Sequence, residues 1–380
     1  MKRIRVAHLY AAATCLGLIL SGCSSTPTTG KEPAELEPIE VTSTAAIAWE
    51  SSIGDAQGFT FTPSFTGDAI FVAERGGDVA RLDKDGKRVW KISVDTDLSG
   101  GVGSDGQRVV VGTTKGEIVV LNAADGEQLW RGQLSAEVLA MPAVSGGLVV
   151  ARSSDSRIGA FDATTGIRRW WYQRTTPPLV LRSDVGVTID GNATLVGFPG
   201  GKLVAISNQN GSLLWEGTVS TPKGATDLER ITDITSRPAV GGGIVCSATY
   251  KGRVACFDRV NGNQLWVREI SSFSGMDIGP KYVYVSDTNG TVHALDRSTG
   301  ASLWSQNKLA YRQLSRPLLI GSELFVADFE GYVHILRISD GAFVGRLKTD
   351  GSAVRAEIVR TPAGALVQTS DGGLFAITAK

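Results

Sequence analysis

VGTTKGEIVVLN, residues 111–122, is one copy of a pattern that the chain repeats eight times. The others are VAERGGDVARLD (72–83), ARSSDSRIGAFD (151–162), VGFPGGKLVAIS (196–207), SATYKGRVACFD (247–258), VSDTNGTVHALD (285–296), VADFEGYVHILR (326–337) and VQTSDGGLFAIT (367–378). Each reads as two strands around a tight turn, with Gly77, Gly116, Ser156, Gly201, Gly252, Gly290, Gly331 and Gly372 at the turn. Glycine in seven of eight copies predicts φ > 0 at that position, as the last residue of a bulged hairpin loop requires. The strand after the turn is apolar at consecutive positions, as in Ile118-Val119-Val120-Leu121, so both its faces are buried in a stack of sheets. Successive copies end 39, 40, 45, 51, 38, 41 and 41 residues apart, which is the length of a propeller blade.

Six copies run on to a second turn glycine and a Trp four residues later: Trp90, Trp130, Trp170, Trp215, Trp266 and Trp304. A strand also precedes each hairpin, as in MPAVSGG (141–147), which makes four strands per unit. The last copy stops at the chain end without its Trp strand, and an orphan segment AAIAWE (45–50) opens the repeat region. Placing Trp49 at the missing position closes the ring and leaves no raw sheet edges at its ends. The expectation is an all-β, eight-bladed β-propeller of four-stranded antiparallel blades over 45–380, closed by the N-terminal strand.

Upstream, Lys2, Arg3 and Arg5 precede an apolar run from Leu9 to Leu20, too short to span a bilayer, so 1–22 reads as a signal peptide. Leu20-Ser21-Gly22-Cys23 resembles the bacterial lipobox, which implies cleavage before Cys23 and acylation of that residue. Ser24 rather than Asp after the Cys implies sorting to the outer membrane. Residues 23–44 are polar, proline-containing and aperiodic, and read as a lipidated tether. Without the leader, 35 basic residues stand against 38 acidic ones, which offers no electrostatic footprint for nucleic acid.

Three His, one of them in the leader, leave little for metal or triad chemistry, so no metal, catalytic residue or cofactor is assigned. His293 and His334 take the same place in consecutive copies, where space-filling with a ring nitrogen bonded to backbone is expected. Cys246 and Cys256 flank one hairpin turn. If Tyr250-Lys251-Gly252 is a three-residue loop the two lie opposite and the oxidising periplasm permits a disulfide. A two-residue loop would put them on opposite faces.

The Asp/Asn-x-x-x-Gly-x-x-x-Trp unit resembles the pyrroloquinoline-quinone-type repeat and not WD40, since no Trp-Asp dipeptide occurs. With the lipobox and the length, the whole chain resembles the BamB (YfgL) family of outer-membrane lipoproteins. The resemblance implies a non-enzymatic scaffold of the β-barrel assembly (BAM) machinery that docks on the periplasmic POTRA domains of BamA, with unfolded outer-membrane proteins as further partners. It places the docking site at Leu179, Leu181 and Arg182 of Leu179-Val180-Leu181-Arg182, with Asp233 of Arg230–Thr235 as the acidic position; Thr235 stands where a second carboxylate is expected. The residues themselves add that TPKGATDLERITDI (221–234) is longer than a blade connection needs. The rivals are a quinone-dependent dehydrogenase, against which the lack of adjacent cysteines and the short loops argue, and a periplasmic ligand-binding propeller, which predicts exposed aromatics at Phe198, Tyr250 and Phe329.

Overall fold

The blade geometry follows directly from the hairpin pattern. In a computed structural model, residues 31–379 are described. The chain divides into Met1–Glu32 and Pro33–Lys380, and the second unit is the propeller; Cys23 and the signal peptide lie outside the described residues. The described residues form eight antiparallel four-stranded meanders and no helix, with a short fifth strand, Thr60–Phe61, running parallel at the edge of the second blade. The fifth blade is typical, with strands Ala239–Gly241, Ile244–Ala248, Val254–Asp258 and Gln264–Arg268 from channel to rim. In the eighth, Val359–Thr361, Gly364–Gln368 and Gly373–Thr378 are completed by Ala46–Ser52, with Ala46 opposite Thr378 and Trp49 opposite Ala376. The ring is closed by its N-terminal strand, as the orphan segment predicts.

Each outer strand carries a bulge immediately before the Trp position, and the indole turns inward against the next blade. Trp130 illustrates the joint. Its ring lies on Gly166, where an added Cβ would come within 2.7 Å of it, and its N–H donates to the Ala163 carbonyl at 3.0 Å. Gly166 also has φ +70°, so both backbone and space demand glycine there. Six of the seven repeat indoles donate to a carbonyl of the following blade in this way, joining blades by a contact that buries much apolar surface and leaves no N–H orphaned.

The seventh blade departs from the pattern for a physical reason. The eighth has no outer turn of its own, so a Trp at 345 would have no glycine to rest on. Gly345 stands there instead, and Ser43 packs against it while the N–H groups of Thr42 and Ser43 donate to the Val344 carbonyl. The chain is held back to Ala34. Ala34 N–H donates to the Ala310 carbonyl, Leu36 joins the core between the sixth and seventh blades, and Arg346 donates to the Glu37 carbonyl at 2.9 Å. The polar composition of 23–44 suggests a free tether throughout, but 34–44 is a strap on the seventh blade.

Two further details differ from the sequence expectation. The turn position has φ > 0 in seven copies, Ser156 included, but in the fifth Lys251 takes the left-handed conformation (φ 50°) and Gly252 does not. Gly252 is required there by crowding, since a Cβ would meet Thr249 Oγ1 at 2.1 Å. The histidines bond carboxylates rather than backbone, with His293 Nε2 on Asp287 at 3.0 Å and His334 Nε2 on Asp328 at 2.9 Å. In both, an Asp six residues upstream ends the partner strand and meets the ring across the hairpin. Burial holds His334 below the ordinary imidazole range despite Asp328.

The loop of the fifth copy has three residues. Thr249 N–H donates to the Arg253 carbonyl at 2.9 Å, Cys246 pairs with Cys256 across the strands, and the two form a disulfide.

Candidate docking site

In a meander blade, the turns between first and second and between third and fourth strands share one face. The second-to-third hairpin loops share the other with the connections that lead to the next blade. Exposed large apolar residues on this second face occur in three consecutive connections only: Leu179 in 173–186, Leu228 in 219–238 and Phe273 in 269–274. The remaining connections carry none among the described residues.

The segment Leu179–Arg182 precedes the first strand of the fourth blade, Val187–Asp190, and has no regular secondary structure. Leu179 is 42% exposed and Leu181 is half-buried. Arg182 is exposed and meets Glu137 in a forked pair, Nη2 lying 3.1 and 3.0 Å from the two carboxylate oxygens. Its guanidinium also lies 5.7 Å from the centre of the Phe59 ring. The side chain is thereby held in place before any partner arrives.

Asp233 is 2% exposed, and its carboxylate looks inward. One oxygen accepts Leu181 N–H at 2.8 Å and the other Gly200 N–H at 3.0 Å, while its carbonyl accepts Tyr250 N–H. The acidic position therefore supports the docking segment from beneath and does not present its charge to a partner. Beside it Arg152 is half-buried, donating to the Gly197 carbonyl at 2.8 Å, and desolvation lowers its guanidinium to about 10 even though Asp233 opposes the shift. Thr235, in place of a second carboxylate, is buried and donates to the Ser272 carbonyl. Sequence reasoning missed Glu137 and Phe273, for which no local motif gives a signal.

The channel opens on this face as a cavity of about 490 Å³. Glu357 bridges Arg237 at 2.6 Å and Arg316 at 3.3 Å, which ties three blades together around its wall. Of the aromatics expected at the mouth, Phe198 is fully buried, and Tyr250 and Phe329 are half-buried.

Against known proteins, the family model described as outer membrane protein assembly factor BamB matches residues 75–306. The outer membrane protein assembly factor BamB of Bordetella pertussis is 40% identical over all of both chains. The chain belongs to the BamB family. The crystal structure of BamB from Moraxella catarrhalis superposes with a TM-score of 0.82 at 27% identity, covering 88% of this chain and all of that one. A quinohemoprotein alcohol dehydrogenase from Comamonas testosteroni, at 15% identity, TM-score 0.71 and coverage of 90% and 78%, shares the propeller fold alone. The relatives of the BamB family are thus named for assembly rather than for an enzymatic activity.

Proposed function

We propose that this protein is a lipid-anchored, non-enzymatic scaffold of the outer-membrane β-barrel assembly complex, held through Cys23 at the periplasmic side of the outer membrane. The observation that carries this reading is the full-length relationship to an outer membrane protein assembly factor. The propeller docks on the POTRA domains of the barrel-inserting subunit through Leu179, Leu181 and Arg182, and Asp233 positions that segment. In support, Leu179 lies exposed on a face otherwise poor in exposed apolar side chains, and Arg182 is oriented by Glu137. A rigid ring with a preset contact loses little conformational freedom on binding.

Replacing Leu179, Leu181 and Arg182 together by Ala abolishes co-purification of the full-length protein with that subunit while its thermal melt stays native. Undiminished co-purification with a native melt overturns the assignment.

A further inference from the structure

We infer that the docking surface extends beyond Leu179–Arg182 to Leu228 and the Phe273–Tyr250 pair, and that the folded protein domain docked on the first presents an apolar ridge to the others. This rests on the docking reading above and names residues that reading does not include.

The first ground is placement. Leu179, Leu228 and Phe273 come from three adjacent connections, and Asp233 ties the first two to the hairpin loop that carries Tyr250. The Asp233 carboxylate holds Leu181, its carbonyl holds Tyr250, and its own connection carries Leu228. Thr235 Oγ1 donates to the Ser272 carbonyl and brings in the connection that carries Phe273, so the patch shares its support with the docking segment.

The second ground is the construction of the 221–230 loop. Glu229 accepts the N–H groups of Ala225 and Thr226 at 2.8 and 3.1 Å, its own N–H meets Thr226 Oγ1 at 3.3 Å, and Arg230 Nε donates to the Gly224 carbonyl. This reciprocal arrangement is a capping box closed on a single turn. Polar groups of the loop are spent on holding its own shape, and Leu228 is left 62% exposed. A solvated loop ordinarily does the reverse. An apolar side chain on a rigid turn has the features of an interface anchor, because its ordering cost is met before binding.

Phe273 is 44% exposed and stands edge-on to Tyr250, ring centres 5.8 Å apart. Lys251 N–H donates to Ser271 Oγ at 2.9 Å, which fixes the hairpin loop to the connection. Around the three anchors the exposed cations Arg182, Lys223, Arg230 and Lys251 are matched by the exposed Asp227, Glu229 and Glu269 and by Glu137, the partner of Arg182. A rim without net charge leaves the apolar anchors to select the partner, through an apolar ridge that fits them.

The test uses the full-length protein in detergent, titrated with the purified periplasmic domains of the barrel-inserting subunit. Leu228→Ser and Phe273→Ser should each weaken binding about tenfold. Leu228→Lys, at an exposed position, keeps the test valid should Phe273→Ser lose its fold. If Leu179/Leu181/Arg182→Ala loses binding while Leu228→Lys and Leu228→Ser bind as tightly as the parent, the extension is overturned and the docking segment stands. If the triple variant binds normally, the docking reading itself fails.

Discussion

Asp233 shows how a charge can serve a binding surface without touching it. Its carboxylate satisfies two backbone N–H groups, of Leu181 in the connection entering the fourth blade and of Gly200 in that blade's hairpin loop, and 2% exposure leaves it out of a partner's reach. Asp233→Ala strands both donors in a buried site, which costs roughly 1–3 kcal/mol for each donor left unpaired. We expect a lower midpoint in denaturant unfolding and weaker docking together; Asp233→Asn, which keeps one acceptor oxygen, falls between. Loss of docking with unchanged stability would mean that Asp233 acts at the interface itself. An Asp in a long loop was visible in the sequence, but its direction was not. Local composition does not tell whether a loop carboxylate faces water or the N–H groups of a neighbouring blade.

At the scale of the element, the hairpin of the fifth copy was open to two registers, and the loop length decides between them. Three loop residues set Cys246 against Cys256 and place their bond between neighbouring strands. A cross-link closing so short a loop stabilises by about 2–3 kcal/mol through the unfolded chain. Cys246→Ala/Cys256→Ala should lose about that much in chemical unfolding, and mass spectrometry after alkylation of the parent should find both thiols blocked until reductant is added. The glycine before each Trp was legible as a turn, yet half of its purpose was not. Gly166 also makes room for Trp130 of the preceding blade, a constraint from a residue 36 positions away that no local pattern records.

For the whole molecule, the closed ring turns charges that are distant in sequence into neighbours. Glu357 accepts from Arg237, 120 residues away, and from Arg316. Burial raises its carboxyl, but the two cations outweigh that and draw it from 4.5 down to about 2. Since its folded value is depressed, the unfolded chain takes up the proton first. The stabilisation is complete above about pH 4.5 and is lost as the pH falls towards 2. Glu357→Gln should flatten that part of the stability profile, read from denaturation midpoints across the acid range. His334 belongs to a higher window. Its depressed pKa means that stability declines as pH falls below the ordinary imidazole range, so the two contributions are separable. The repeat alone determined that this chain is an eight-bladed propeller and where the ring closes, because both depend on periodic apolar positions and turn residues that recur at fixed spacing. Tertiary structure alone decided that 34–44 is strapped to the seventh blade, that Asp233 faces inward, and that three connections gather their apolar side chains on one face. Those outcomes depend on which blades the closed ring makes neighbours, and spacing along a chain does not encode proximity across a ring.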